Sequence, residues 1–285
     1  MSAGARATST AERIRAATGG GGAMQGARVA LAVAVRDLRA VARARSQLYS
    51  SVLTPLMLLV FLGNGVSQGL EPSRLPAGNF TAYLVAGTVV MTSVFSSTFS
   101  SASYYRDRDS GFLRLLLSSP HDPRTVLLGK SLAALLIGAV QAFLVLAVAA
   151  PFVDFGWQHG MAAGFGLALL TVVLLNLMLT GLAQALATRV QSMQGFHLIM
   201  NLALFPLLFF SGAFFPVDGL PAWMKLLAYA NPLTYAVDAL QLATYATGSG
   251  GFIGYGVDFA VLGVLSAAVY GLGFSRLPKL TFSGQ

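Results

Sequence analysis

The chain has 285 residues, 55% of them hydrophobic, with 18 basic and 10 acidic side chains. Charged residues make up 10% of it, against about 25% in a soluble domain; that is too few to clothe a water-facing surface of this size, and it points to an integral membrane protein. Cysteine is absent, which excludes a disulfide framework or a thiolate metal site, and His121, His159 and His197 show no ligand spacing. A net charge of +8 would suggest nucleic acid in a soluble protein. Here Asp154 is the only charged residue from 131 to 188, and none occurs from 190 to 217. The excess is therefore read as a marker of membrane orientation, with no nucleic-acid partner.

Residues 1–26 are rich in Ala, Gly, Ser and Thr, include GGGG at 19–22 and lack the apolar core of a signal peptide. They are expected to form a disordered cytoplasmic tail. Over 27–46 the period becomes helical. Arg28, Arg36, Arg39 and Arg43 share one sector, and Leu31, Val35, Leu38 and Ala42 lie on the flank beside it. This is the pattern of an amphipathic helix lying in the interface plane with its arginines toward anionic headgroups. Asp37 and Arg45 fall off the basic sector. Six apolar runs follow, near 48–66, 80–103, 130–150, 161–187, 196–215 and 256–275. Each approaches the ~20 residues that a membrane crossing needs, and each is expected to be helical because lipid does not tolerate exposed coil. The first, with Pro55 inside and Gly63, Asn64 and Gly65 near its end, is the weakest. Residues 281–285 are expected to be a short cytoplasmic C-terminal tail.

Six crossings place both termini on one side. With that side as the cytoplasm, sixteen Lys and Arg lie inside and only Arg74 and Lys225 outside, while the acids divide five and five; this is a positive-inside bias. Residues 216–255 then lie outside, yet they are too apolar for a free loop. Pro216, Gly219 and Pro221 break the fifth run, and WMKLLAYA can lie flat at the interface with Trp223 and Tyr229 as anchors. Asn231-Pro232 forces a turn, since a residue before proline avoids the helical region. LTYAVDALQLATYA makes a second helix too short to cross, with Asp238 inside it. The expectation is an outer re-entrant or surface-lying helical hairpin between the fifth and sixth runs. Asp238, ionisable and beside the membrane, is open between simple hydration and function. Phe209, Phe210, Phe214 and Phe215 are open between packing and lining a path for a flat apolar cargo. Asn176, Asn201, Gln141 and Thr180 are expected to find partners across helices.

The segment 104–130, YYRDRDSGFLRLLLSSPHDPRTVLLGK, is the one long charge-rich insertion. Arg106, Asp107, Arg108 and Asp109 alternate in sign, and FLRLLL at 112–117 makes a short apolar helix before Pro120 and Pro123. Such a helix is buried by a partner protein, by lipid headgroups or by the chain itself. No GxxxxGK[ST] stretch exists to cradle a nucleotide, and no paired carboxylates or Ser/His/Asp set suggests catalysis.

These two segments carry a family resemblance. RDSGFLRLLLSSPHDPRTVLLGK, 108–130, is similar to the cytoplasmic loop of ABC-2-type transporter permeases. There an acidic residue and a glycine lead into a leucine-rich helix, then a proline, then Leu-Gly-Lys; the matching residues here are Asp109, Gly111, Leu113, Leu116, Pro120, Leu128, Gly129 and Lys130. SGAFFPVDGLPAWMKLLAYANPLTYAVDALQ, 211–241, resembles the family's outer segment. The family more often has glutamate at the place of Asp109, threonine at Phe112 and arginine at Gln241. The resemblance runs over about 27–280, marks that stretch as a permease domain, and looks closest to daunorubicin-resistance-type drug exporters.

The resemblance implies a half-transporter in a bacterial plasma membrane. Its partners would be a second permease chain, identical or homologous, two copies of a cytoplasmic ABC ATP-binding subunit, a hydrophobic or amphipathic cargo (drug, antibiotic or lipid) and membrane lipid. A cytoplasmic coupling helix would engage the ATPase through Arg108, Asp109, Gly111, Phe112, Leu113, Leu115, Leu116 and Pro120. The outer hairpin would shape an exit path with Phe214, Phe215, Trp223, Asn231, Pro232 and Asp238. The chain itself would hold no catalytic residue, cofactor or metal, with ATP and magnesium in the partner. Glycan export is the alternative cargo. A lipid-modifying enzyme would need converging polar residues, and an ion-coupled carrier or scaffold is the remaining class; a carrier would show charges or broken helices at the midplane.

Overall fold

The computed structural model describes residues 25–67, 80–112, 123–153, 155, 157, 160–187, 189–244 and 253–275. Regular structure among them is helical: α1 over 25–43, α2 Arg45–Ser67, α3 Phe80–Asp109, α4 Pro123–Ala149, α5 Met161–Ala187, α6 Met193–Phe209, α7 Ala222–Ala230, α8 Pro232–Thr244 and α9 Tyr255–Ser275. A short 3-10 turn covers Val217–Gly219. The expected tails, apart from residues 25 and 26 that begin α1, lie outside the described residues, as do most of FLRLLL and residues 245–252.

Among the described residues, four helices are long and apolar enough to cross a membrane: α2 over Leu48–Val66, α3, α4 over Arg124–Ala149, and α5. The expectation of six is corrected to four. Helix α6 has 17 residues, about 26 Å at 1.5 Å per residue, short of a hydrocarbon layer about 30 Å thick. Its hydropathy overestimates its length because Phe210–Phe215, though apolar, fold into turns and bends, with Gly212 at φ 81°. In α9 the apolar stretch Tyr255–Gly271 also falls short.

Two boundaries move the other way. Helix α3 continues six residues past its expected end, through Tyr104–Asp109. It stops where Gly111 takes φ 73° and its N–H returns to the Arg108 carbonyl at 3.1 Å, the left-handed stop that glycine permits. Helix α4 starts at Pro123, a residue suited to a first turn because its missing N–H would have no helical partner. Lys130 is thereby carried inside a helix.

Helix α3 is the hub. It packs against α2, α4, α5, α6 and α8, and 94% of its most apolar window is buried. Small residues let neighbours close on it: a Cβ at Gly87 would strike the Ala213 carbonyl, and one at Gly138 of α4 would strike the Asn176 side chain of α5. Asn176 Nδ2 donates to Ser93 Oγ of α3 at 3.2 Å, and Gln141 Nε2 of α4 donates to Ser51 Oγ of α2 at 2.9 Å, the interhelical use expected of both. Thr180 is buried without a hydrogen-bond partner, and Asn201 is exposed. Outward-facing Phe61, Val140, Leu198, Leu202 and Val264 give the bundle the apolar exterior that lipid requires.

Candidate functional site

Polar chemistry gathers at the two ends of the bundle. At one end α1 lies against α4. A Cβ on Gly129 would come within 2.5 Å of the Ala30 carbonyl, so glycine is what allows the two backbones to meet. The contact buries Val33, Ala34, Asp37 and Val41 of α1, a face one helical turn repeats. It leaves Leu31 and Val35 exposed, together with Arg28, Arg39 and Arg43. The flank of Leu31 and Val35 is thus not the face that α1 turns to the bundle.

The residue after Gly129 completes the contact. Lys130 is 4% exposed. Its Nζ donates to Asp37 Oδ2 of α1 at 3.1 Å, to Ser103 Oγ of α3 at 3.2 Å and to Asp107 Oδ2 of α3 at 2.5 Å. Arg36 Nη2 closes the group, 2.6 Å from Asp37 Oδ1 and 2.5 Å from Asp107 Oδ2. Two cations and two carboxylates therefore neutralise one another across three helices. The arrangement satisfies the rule that buried charge persists only when paired and hydrogen-bonded. Arg36 also stands 4.4 Å from the centre of the Phe112 ring, a cation–π contact with the residue that leads out of α3. Of the expected interfacial arginines, then, Arg36 is drawn into the protein. Among the expected coupling residues Arg108 and Asp109 are exposed, Gly111 terminates α3 and Phe112 is half-buried under Arg36. Leu113, Leu115, Leu116 and Pro120 lie outside the described residues.

The opposite end is built around the turn at Asn231. Its backbone is extended, φ −91° and ψ 120°, as expected before Pro232. The side chain does further work: Oδ1 accepts the Leu233 N–H at 3.0 Å, capping α8, and Nδ2 donates to the Leu207 carbonyl in the last turn of α6. Tyr83 of α3 donates its hydroxyl hydrogen to the Gly212 carbonyl, fixing the turn after α6 to the hub. The phenylalanines divide, with Phe214 buried against Phe209 at 5.2 Å between rings and Phe215 exposed. Trp223, Leu226, Leu227 and Tyr229 of α7 are exposed, while α8 buries Leu233, Val237, Asp238, Leu240 and Gln241. A surface-lying position thus suits α7 and not α8. Between them and α9 opens an apolar cleft of about 410 Å³, lined by Tyr229, Pro232, Tyr235, Val261, Val264 and Leu265.

Asp238 is fully buried, and its Oδ2 accepts the N–H groups of Ile253 at 3.1 Å and Gly254 at 3.0 Å. Beside it is Asp258, in the first turn of α9 and equally buried. Sequence reasoning missed three participants: Asp37, Asp107 and Asp258. For Asp37 a signal existed, a lone acid in a basic helix and off the basic sector. Among the described residues no group of three or more His, Cys, Asp or Glu side chains could hold a metal ion.

A family model described as ABC-2 type transporter matches residues 28–245. The chain is 27% identical over 201 residues to ycf38 of Cyanophora paradoxa, described as a transport permease, with 68% of this chain and 66% of that one covered. It is 26% identical over 164 residues to YbhR of Escherichia coli K12, described as a multidrug ABC transporter permease, covering 57% of this chain and 44% of the relative. Nodulation protein J of Rhizobium leguminosarum bv. viciae is 26% identical over 208 residues, with 70% of this chain and 74% of that protein covered. The chain thus spans just under two thirds of the ycf38 protein and less than half of YbhR.

Proposed function

Because the chain belongs to the ABC-2 type transporter family, we infer that it is the membrane-spanning permease subunit of an ATP-driven exporter, with hydrolysis carried by a separate subunit. The observation that carries this reading is the family match over 28–245, which takes in the Lys130 cluster and the turn at Asn231. The sequence has no phosphate-cradling GxxxxGK[ST] loop of its own.

In this proposal two cytoplasmic ATP-binding subunits dock beneath the end that carries Lys130, and a second permease chain, identical or homologous, completes the pathway. The positive-inside bias supports placing that end, and both termini, in the cytoplasm of a bacterial plasma membrane. Residues 108–120 act as the coupling segment. Arg36, clamped to Asp37 and Asp107 and lying over Phe112, holds the root of that segment, so a push on it reaches α1, α3 and α4 together. Packed interfaces switch between discrete arrangements rather than deform continuously. ATP then drives export only through a difference in cargo affinity between the two arrangements.

The cargo is hydrophobic or amphipathic: a drug, an antibiotic or a lipid. The wording of 211–241 supports a place among daunorubicin-resistance-type exporters, and the description of YbhR as a multidrug permease favours a drug-like molecule. The apolar cleft beside Tyr229 and Tyr235 has the size and lining of a small-molecule surface and sits where an exit path would open. Glycan export is the second reading.

The test is reconstitution in vesicles with a cognate ATP-binding subunit. Magnesium-dependent hydrolysis should appear only in the complex, together with ATP-dependent movement of a fluorescent amphipathic drug. Leu115→Asp or Leu116→Asp should abolish co-purification of the ATPase, since burying an unpaired charge is costly. Turnover by the isolated chain would overturn the assignment of roles, and transport of an oligosaccharide but no drug would replace the cargo.

A further inference from the structure

The charges at the two ends of the bundle are balanced differently. Asp37 and Asp107 meet Lys130 and Arg36. Asp258 is fully buried, and neither of its carboxyl oxygens has a hydrogen-bond partner; the carboxyl of Asp238 lies beside it. Two carboxylates offer only acceptors, so nothing there meets the charge of an ionised Asp258, whereas a proton kept on it can be donated to Asp238. Ionising both would set like charges side by side in a medium too apolar to screen them.

Geometry says which carboxyl is the acid. Asp238 Oδ2 takes two backbone N–H groups, from Ile253 and Gly254, and such donors favour a carboxylate. Asp258 takes none, so its neutral form is the one this surrounding suits. Among the described helices, α5 and α8 pack most extensively against α9. Helix α5 has no ionisable residue. Helix α8 contributes Asp238 and Tyr235, whose hydroxyl is spent on the Tyr229 carbonyl at 2.7 Å. On α9 itself Tyr255 stands one turn earlier, its ring stacked on Phe259 at 5.7 Å.

We propose that Asp238 and Asp258 form a proton-binding site at the junction of α8 and α9, with Asp258 as the acid that holds the proton and Asp238 as the carboxylate that accepts its hydrogen bond. The ligand is a proton rather than a metal ion, because two carboxyl groups supply too few oxygens for a hard cation. The site fastens the entry of α9 to α8. Parting the two helices would admit water to Asp258, which would then ionise and release its proton, so opening at this end is linked to proton loss. The site stands whatever cargo the chain moves.

Infrared spectroscopy of the full-length chain in nanodiscs tests it. At pH 7 the wild type should show the carbonyl stretch of a water-shielded carboxylic acid, displaced in D2O. Asp258→Asn should remove the band, and Asp238→Asn should move its frequency by taking away the charged acceptor. A wild-type spectrum without this band overturns the proposal, and that measurement needs no variant to fold. A band unchanged in both variants also overturns it, as does one that sodium or calcium abolishes at fixed pH, which would make the ligand a metal ion.

Discussion

At one end of the bundle, the carboxylates of α1 and α3 are held by side-chain cations of α1 and α4; at the other, Asp238 is held by backbone N–H groups and Asp258 beside it meets no donor. The first solution draws on residues up to 93 positions apart, Asp37 and Lys130, and binds α1, α3 and α4 into one block. The second draws on Ile253 and Gly254 for Asp238 and is local to the passage from α8 to α9. A charge block resists any loss of a partner, whereas a carboxyl pair can lose a proton and come apart. The contrast suits one end to transmitting force and the other to opening.

The sharpest way to break this comparison is Lys130→Met. It leaves Asp37 and Asp107 buried beside each other with only Arg36 to share, and breaking a buried pair costs about 3–5 kcal/mol. Thermal unfolding in detergent should register the loss, and adding Asp37→Asn should recover part of it. Asp258→Asn, which replaces a neutral acid with a neutral amide, should by contrast leave the melting temperature near wild type at pH 7. Equal losses from the two substitutions would erase the distinction between the ends.

Close packing supplies a second test. Gly129→Ala drives a methyl group into the Ala30 backbone and Gly87→Ala drives one into Ala213. Each should cost about 1–3 kcal/mol by overpacking. Gly166→Ala meets nothing within 4 Å and should be neutral or gain up to about 1 kcal/mol from helix propensity. Smaller effects belong to the turn. Asn231→Ala removes the cap of α8, about 1 kcal/mol, and its tie to Leu207. Pro232→Ala should be milder, because the Asn231 side chain still ends α7 and starts α8; export slowed more by Pro232→Ala than by Asn231→Ala would shift the weight back to proline. The least costly is Arg36→Gln. That side chain is 34% exposed and solvent screens part of its pairing, so stability should fall by less than about 1 kcal/mol while ATP hydrolysis and export become less tightly linked.

Much of this could be read from residues in order. The long apolar periods of α3, α4 and α5, the amphipathic α1 and the break at Asn231-Pro232 are local facts of spacing and backbone restriction. The length of α6 was not legible, since hydropathy measures composition and Phe210–Phe215 remain apolar while Gly212 turns the chain. Nor did alternation of sign in Arg106–Asp109 reveal that the helix would run on and point Asp107 inward while Arg106, Arg108 and Asp109 stay exposed. Asp258 falls within the sixth apolar run, and nothing in that run indicates that its carboxyl faces α8. In each case the missing information is a contact between helices distant in sequence.

Helix α3 has one more property that bears on motion. Thr88, Thr92, Thr98 and Ser101 spend their hydroxyls on carbonyls four residues back in the same helix, at 2.8–3.0 Å. Between Thr88 and Ser101 its one described side-chain hydrogen bond to a neighbouring helix is Ser93 to Asn176. The hub is thus pinned at its two ends and at one point midway, and slick in between. Sliding or turning it would break a few bolts and leave the hydroxyls of Thr88, Thr92, Thr98 and Ser101 satisfied within the helix, so the cost of its travel is concentrated at three depths, and a stroke of the rod would advance by clicks.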